Sequence, residues 1–338
     1  MILILGGVHS GRRAFLESLH LAPESVYELK AEDARAFAEE CGKKALEAPL
    51  SLTCSRIASF DAVIATEMGL GIIPLEHENR RLREENGRLN IALASLADCV
   101  VLMTAGIPTV IKGSLNCLQK KSRYLLVFRH GATEANVEKR YAGGASDLDL
   151  CGAGREQLER TKEYLQTFAE NCSPAIREKI LFPKKIYLSP MKRALQTAQI
   201  LYPQAEQCLV KDFREMDFGL FENHTADELF SDEKTRAAYQ AFVDSGAKMK
   251  CPPSDKSPGE SIAEFLARTA KAFELILAEP DGDEVIVVIG HGGTQMSLFS
   301  QFSPYPLEEQ SGDVSSYYGW QTDCASFRFG IISVTKSR

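Results

Sequence analysis

The sequence predicts an α/β fold: a larger domain with a mostly parallel central sheet, preceded by a smaller α/β domain. Three observations predict it. Short apolar runs end in glycine or in charged residues, amphipathic stretches at helical spacing lie between them, and 338 residues exceed what one hydrophobic core needs.

Composition narrows the function classes. A chain with 44% hydrophobic and 25% charged residues is expected to be ordered and globular. Its formal charge of −7 is spread along the sequence and leaves no basic face for a nucleic acid backbone. The nine cysteines form no CxxC pair, which suits buried thiols in a reducing compartment better than a disulfide scaffold. The opening MILIL is too short an apolar run for a signal-peptide core or a membrane span, so a soluble cytoplasmic protein is expected.

The first element is a strand followed by a glycine loop and a helix from about Arg12, read from "MILILGGVHSGRRAF". Gly6 to Gly11 fits G-x-x-x-x-G, a layout whose backbone N–H groups can surround phosphate oxygens. Lysine and then serine or threonine should follow it, but the chain has Arg12 and Arg13. A guanidinium is a wide planar fork rather than a compact charge, and Arg13 cannot ligate magnesium. Anion binding survives such a change; phosphoryl transfer is expected to be lost. His9 reads as an exposed turn residue and His20 as a helix-end or packing residue. The charged "PLEHENRRLREENGRLN" reads as a solvated helix with His77 at its surface, docked through Leu82, Leu89, Ile91, Leu93 and Leu96.

These features, with Thr66-Glu67-x-Gly69-Leu70-Gly71-Ile72-x-Pro74, Gly87-Arg88-x-Asn90 and Ala105-Gly106-Ile107-Pro108, resemble the adenosylcobinamide kinase and guanylyltransferase family of cobalamin biosynthesis. The resemblance implies a P-loop-derived domain over residues 1–120. It matches the two ends of the family's chain, while the middle, which carries the family's guanylylated histidine, is nearly absent. Inherited kinase or guanylyltransferase activity is therefore not expected.

Lys120, Lys121 and Ser122 mark the junction to a second domain, residues 121–338. Its strand candidates are "RYLLVFRHG", "KKIYLSP" and "DEVIVVIGHGG". Among the helices between them, "SIAEFLARTAKAFELILAE" places Ile262, Phe265, Leu266, Thr269, Phe273 and Ile276 on one stripe. In such a fold, ligands collect beyond the carboxyl ends of the strands. Arg129 and His130 end the first strand, Arg193 lies one helical turn beyond the second, and His291 ends the third. Two histidines and two arginines at equivalent strand exits point to attack on a phosphate monoester by a neutral imidazole, with arginines stabilising the phosphoryl charge and an acid protonating the leaving alkoxide. Such a pocket requires no cofactor and no metal.

The ordered series Arg129-His130-Gly131-x-Thr133-x-x-Asn136, Gly144-x-x-Asp147-x-x-Leu150-x-x-x-Gly154, Ser189-Pro190-x-x-Arg193-x-x-x-Thr197-Ala198, Glu215-x-x-x-Gly219-x-x-Glu222, Pro258-Gly259-Glu260-Ser261 and Gly290-His291-Gly292-Gly293 resembles the histidine phosphatase superfamily. The resemblance runs from about Tyr124 to Lys336 and implies that family's three-layer fold. It implies His130 as the phosphorylated nucleophile, Arg129, Arg193 and His291 as the rest of the phosphate pocket, and Glu215 as the proton donor. It also implies that Asn136 contacts the phosphoryl group and that Thr133 supports the loop. Glu222 and Glu260 are candidates for organising the pocket, with surface or helix-capping roles as the alternative; Glu222 is carried as a substrate-binding candidate. His224 reads as an exposed loop residue near the mouth.

The compact segment Phe213–Glu222 resembles the phosphatase branch rather than the mutases. Cobinamide guanylyltransferases and α-ribazole-5'-phosphate phosphatases are pathway neighbours, so the fusion implies a small phosphorylated metabolite, α-ribazole 5'-phosphate, as substrate. The alternatives are a general phosphomonoesterase, an enzyme with residual cobinamide kinase activity, and a non-enzymatic scaffold. Either domain offers a surface for a homo-oligomer.

Overall fold

Residues 1–41, 51–68, 74–115, 123–279, 284–302 and 321–332 are described by a computed structural model. Gly69, Leu70, Gly71 and Ile72 of the first resemblance, and the Lys120-Lys121-Ser122 junction, lie outside them. The chain divides into two compact units. The first takes Met1–Ser122, Thr167–Glu178 and Phe329–Ile331, and the second Arg123–Gln166, Lys179–Arg328 and Ile332–Arg338. The first unit thus includes two stretches from beyond the boundary read at residue 120.

Its elements are β1 (Ile2–Gly6), α1 (Arg12–Ser18), β2 (Val26–Glu28), α2 (Ala31–Cys41), α3 (Leu52–Ile57), β3 (Ala62–Thr66), α4 (His77–Leu96), β4 (Cys99–Thr104) and β5 (Ile107–Gly113). They form a five-stranded sheet in the order β2-β3-β1-β4-β5. Its strands run parallel except for β5, which turns back on β4 through Ala105 and Gly106, both at positive φ. The glycine-to-glycine loop leads into α1 as expected. However, Arg12 Nη1 donates to Thr66 Oγ1 at 3.0 Å, and Arg13 pairs with Glu28 at 2.8 Å. Both arginines are therefore engaged by the protein. His9 and His20 are exposed, both at positive φ, with His20 in the turn that ends α1; His77 is exposed at the start of α4.

The stripe on α4 needs one correction. Leu89 and Leu93 are fully buried, with Leu82 and Leu96 partly so, whereas Ile91 is 73% exposed. At 100° per residue, Ile91 lies far from the line joining Leu89 and Leu93, so sequence proximity to that line did not bring it inside.

The second unit contains β6 (Arg123–Arg129), α5 (Glu134–Val137), α6 (Gly152–Glu170), α7 (Pro174–Leu181), β7 (Lys185–Leu188), α8 (Lys192–Leu201), β8 (Glu206–Leu209), α9 (Ala226–Ser231), α10 (Glu233–Asp244), α11 (Ile262–Leu277), β9 (Val285–Gly290), α12 (Gly292–Phe302) and β10 (Phe327–Ile332); α6, α7 and β10 extend across the division between units. Its five-stranded sheet has the order β10-β6-β9-β7-β8, with β6, β9, β7 and β8 parallel. A central parallel strand is covered on both faces, which is why β6 and β9 are continuous apolar runs rather than alternating ones. Leu125 to Phe128 and Val287 to Ile289 are fully buried. Each such side chain stabilises the fold by about 1.5–3 kcal/mol. On α11, Phe265, Thr269, Phe273 and Ile276 are buried, as the stripe predicts, and Ser261 caps the helix by accepting from Glu264 N. Among the described residues, no helix is long and apolar enough to cross a membrane.

Candidate active site

Strand register builds the centre of the site. Arg129, the last residue of β6, pairs with Gly290, the last of β9, and His130 N donates to the Gly290 carbonyl at 3.0 Å. His130 and His291 consequently leave adjacent strands side by side, with ring centroids 5.1 Å apart. Leu188 at the end of β7 pairs with Ile289, which brings Ser189 Oγ within 2.8 Å of His291 Nε2. Arg193, in the first turn of α8, places Nε 3.2 Å from His130 Nε2 and 3.3 Å from His291 Nδ1.

These contacts assign the tautomers, because a carbonyl only accepts and a guanidinium only donates. His130 donates Nδ1–H to the Gly131 carbonyl at 2.7 Å, leaving a lone pair on Nε2. His291 accepts from Arg193 at Nδ1, so its neutral ring donates Nε2–H to Ser189. Burial, reinforced by the charge of Arg193, holds both imidazoles well below the usual histidine range. Both rings are therefore neutral at ordinary pH.

Arg193 is 0% exposed and is held by backbone carbonyls: Nη1 donates to Ser146 at 2.6 Å, and Nη2 to Ala142 and Gly143, both at 3.2 Å. Burial pulls its guanidinium below the usual range, and the fields of Glu215, Glu222 and Asp147 oppose that pull. Glu222 braces the same loop. One carboxylate oxygen accepts from Gly143 N at 3.0 Å and Ser146 Oγ at 2.6 Å, the other from Ala145 N and Phe218 N, both at 3.3 Å. Glu222 thus meets the loop that cages Arg193 rather than the histidines.

Gly131 must lack a side chain. A Cβ there would lie 2.8 Å from the Gly154 carbonyl and 2.9 Å from Leu158, while Gly131 N donates to Thr197 Oγ1 at 3.1 Å. Thr133, fully buried, caps α5 together with Asn136: Asn136 Oδ1 accepts from Thr133 N at 3.0 Å and from Thr133 Oγ1 at 2.9 Å. The carbonyl end of Asn136 is therefore committed to the loop. Arg129 donates Nη1 to the Thr322 carbonyl at 2.7 Å, while its buried Nε has no hydrogen-bond partner; its charge acts on His130, Arg193 and His291.

Glu215 is half-buried beside this cluster. Its carboxylate accepts from Met216 N at 2.8 Å and from Gly293 N at 3.2 Å, which ties it to the residues after His291. His224 is partly exposed and its Nδ1 lies 2.8 Å from the Glu222 carbonyl. Glu260 is buried and paired with Arg268 at 2.6 Å, which excludes the surface alternative for it. Sequence reading missed Arg268 and passed over the hydroxyl of Ser189; the position of Ser189 in the "SP" strand exit is the one signal that could have singled it out. Among the described residues, no group of three or more His, Cys, Asp or Glu is placed to hold a metal ion. In the first unit, a cavity of about 500 Å³ is lined by Val8 to Ala14, Glu28 and Ile64.

A family model described as the histidine phosphatase superfamily (branch 1) matches residues 125–313, and one described as cobinamide kinase / cobinamide phosphate guanyltransferase matches residues 28–111. Phosphoglycerate mutase-like protein 4 of Arabidopsis thaliana is 30% identical over 184 residues, covering 53% of this chain and 71% of that protein. The 6-phosphofructo-2-kinase/fructose-2,6-bisphosphatase of Gallus gallus is 26% identical over 55% of this chain, which spans only 34% of that protein. Among solved structures, the alpha-ribazole phosphatase from Shigella flexneri aligns at 21% identity and TM-score 0.45, over 61% of this chain and 89% of its own.

Proposed function

Since the chain belongs to the histidine phosphatase superfamily, we propose that its second unit hydrolyses phosphate monoesters through a phosphohistidine at His130, with α-ribazole 5'-phosphate as the substrate. The observation that carries the chemistry is the pairing of His130 Nδ1 with the Gly131 carbonyl, which puts the lone pair on Nε2; there it accepts from Arg193 Nε at 3.2 Å, and it attacks phosphorus as the guanidinium turns to the phosphoryl oxygens. In the first step the Nε2–P bond forms as the ester P–O bond breaks, and the Glu215 carboxyl gives its proton to the leaving alkoxide. In the second step Glu215 takes a proton from water, the water oxygen bonds to phosphorus, and the N–P bond breaks to release phosphate. Arg129 and Arg193 stabilise the phosphoryl charge as it develops. The unpartnered Nε of Arg129 is a donor available for a phosphoryl oxygen.

The substrate rests on the pairing of two families in one chain, because relatives of the first unit make the GDP-activated cobinamide that is joined to α-ribazole. The test is kcat/KM across α-ribazole 5'-phosphate, 3-phosphoglycerate, sugar phosphates and nucleoside monophosphates. The first is expected to lead by at least about tenfold, a discrimination of about 1.4 kcal/mol. Equal or faster turnover of another ester would make the protein a broad monoesterase. His130→Ala is expected to abolish phosphoenzyme formation, and activity is expected to survive EDTA; failure of either overturns the chemistry itself.

A further inference from the structure

Arg268, on α11, reaches back to the segment that carries Glu215. Its Nη1 donates to the carbonyls of Asp212 at 2.5 Å and Arg214 at 2.9 Å, and its Nη2 to the carbonyl of Glu215 at 3.1 Å. The same guanidinium grips Glu260 in a fork, with Nε to Oε1 at 2.6 Å and Nη2 to Oε2 at 2.8 Å. Glu260 completes the clamp: its Oε2 accepts from Asp217 N at 3.2 Å, and its own N donates to the Asp217 carbonyl at 2.8 Å. Behind the fork, the Phe265 ring lies 4.6 Å from the Arg268 guanidinium carbon. That ring would meet a Cβ on Gly293 at 2.9 Å, and Gly293 N holds Glu215 Oε2.

We propose that Arg268, locked by Glu260, is a positioning residue that aims the Glu215 carboxyl at the leaving-group oxygen. This rests on the reading of Glu215 as the proton donor. Arg268 never touches the Glu215 carboxylate. It fixes the peptide planes on both sides of Glu215, and with them the direction of its Cα–Cβ bond. Lysine cannot replace it, since one ammonium cannot span three carbonyls and a bidentate carboxylate. A proton donor displaced by about 1 Å loses on the order of a hundredfold in rate.

The experiment compares the burst rate of phosphoenzyme formation on two esters. The leaving group of 4-nitrophenyl phosphate needs little help from an acid, whereas a primary alkyl phosphate needs its alkoxide protonated. Arg268→Met is expected to slow the alkyl ester by about a hundredfold and to cost the nitrophenyl ester at least tenfold less. Arg268→Lys should fall between, and it decides the matter if Arg268→Met does not fold by circular dichroism. In a Glu215→Gln background, Arg268→Lys should add less than about threefold, because a positioning residue has nothing left to position. Equal losses on both esters, or full additivity with Glu215→Gln, would mean that Arg268 serves only the fold. If Glu215→Gln itself slows both esters equally, Glu215 is not the donor, and the assignment falls together with the clamp.

Discussion

His291 donates its Nε2–H to Ser189 Oγ at 2.8 Å and so faces Arg193 with a bare Nδ1. In that state the ring accepts from Arg193 and cannot donate to a phosphoryl oxygen from Nδ1. Burial and the charges of Arg193, Arg129 and Arg268, with His130 alongside, keep it unprotonated well below the usual histidine range. A bound dianion supplies the opposite charge and raises that pKa, so binding should draw in a proton. Sulfate stays dianionic through mildly acidic pH and is the right probe. Its competitive inhibition should strengthen as pH falls from about 8 to about 5, by at most about tenfold per unit for one proton. Inhibition independent of pH would show that His291 stays neutral in the complex.

The same depressed pKa values bear on stability. The unfolded chain protonates its histidines at about pH 6.5, while folded His130 and His291 resist protonation. Their contribution is fully present above that pH and is lost as pH falls from there toward the folded pKa values. His291→Gln should therefore flatten the fall of Tm in that window, as thermal melts would reveal.

Glu222→Ala removes the acceptor for Gly143 N, Ala145 N, Phe218 N and Ser146 Oγ. Leaving such groups unpaired costs about 1–3 kcal/mol. Gly143, Ala145 and Ser146 belong to the loop that cages Arg193, so KM should rise together with the drop in Tm. Substrate saturation curves and calorimetry would check both. An unchanged KM with a lowered Tm would confine Glu222 to the fold.

Gly293→Ala would put a methyl group against Glu215 Oε1 and the Phe265 ring. The carboxylate must move or the helix must shift, at a cost of about 1–3 kcal/mol. The expected result is a fall in kcat of about tenfold or more on alkyl phosphates. A variant with wild-type kcat would place the productive carboxylate elsewhere.

The first unit should lack cobinamide kinase and guanylyltransferase activity. Arg12 donates to Thr66 and Arg13 pairs with Glu28, and neither supplies the compact ammonium or the magnesium-holding hydroxyl that phosphoryl transfer needs. Incubating the whole chain with cobinamide and labelled GTP or ATP should give no labelled cobinamide and no guanylylated protein. Product that vanished on mutating Arg12 would restore a bifunctional enzyme.

By itself, the sequence determined what depends on neighbours along the chain. Unbroken apolar runs marked Tyr124 to Phe128 and Val285 to Ile289 as strands, with Arg129, His130 and His291 of the candidate site at their ends, because strand period and burial are local properties. Helical spacing on α11 was equally legible. Only the tertiary structure decided the rest. Strand order and register set His130 beside His291, and the tautomers follow from a carbonyl, a serine and a guanidinium drawn from three different elements. Arg268 showed no signal at all, since a charged residue on a helix reads as solvated until the carbonyls 53 to 56 residues away are brought to it. Ile91 is the converse, an apolar residue that helical rotation leaves outside. Hydrogen bonds and burial are set by distance in space, and the chain states distance only along itself.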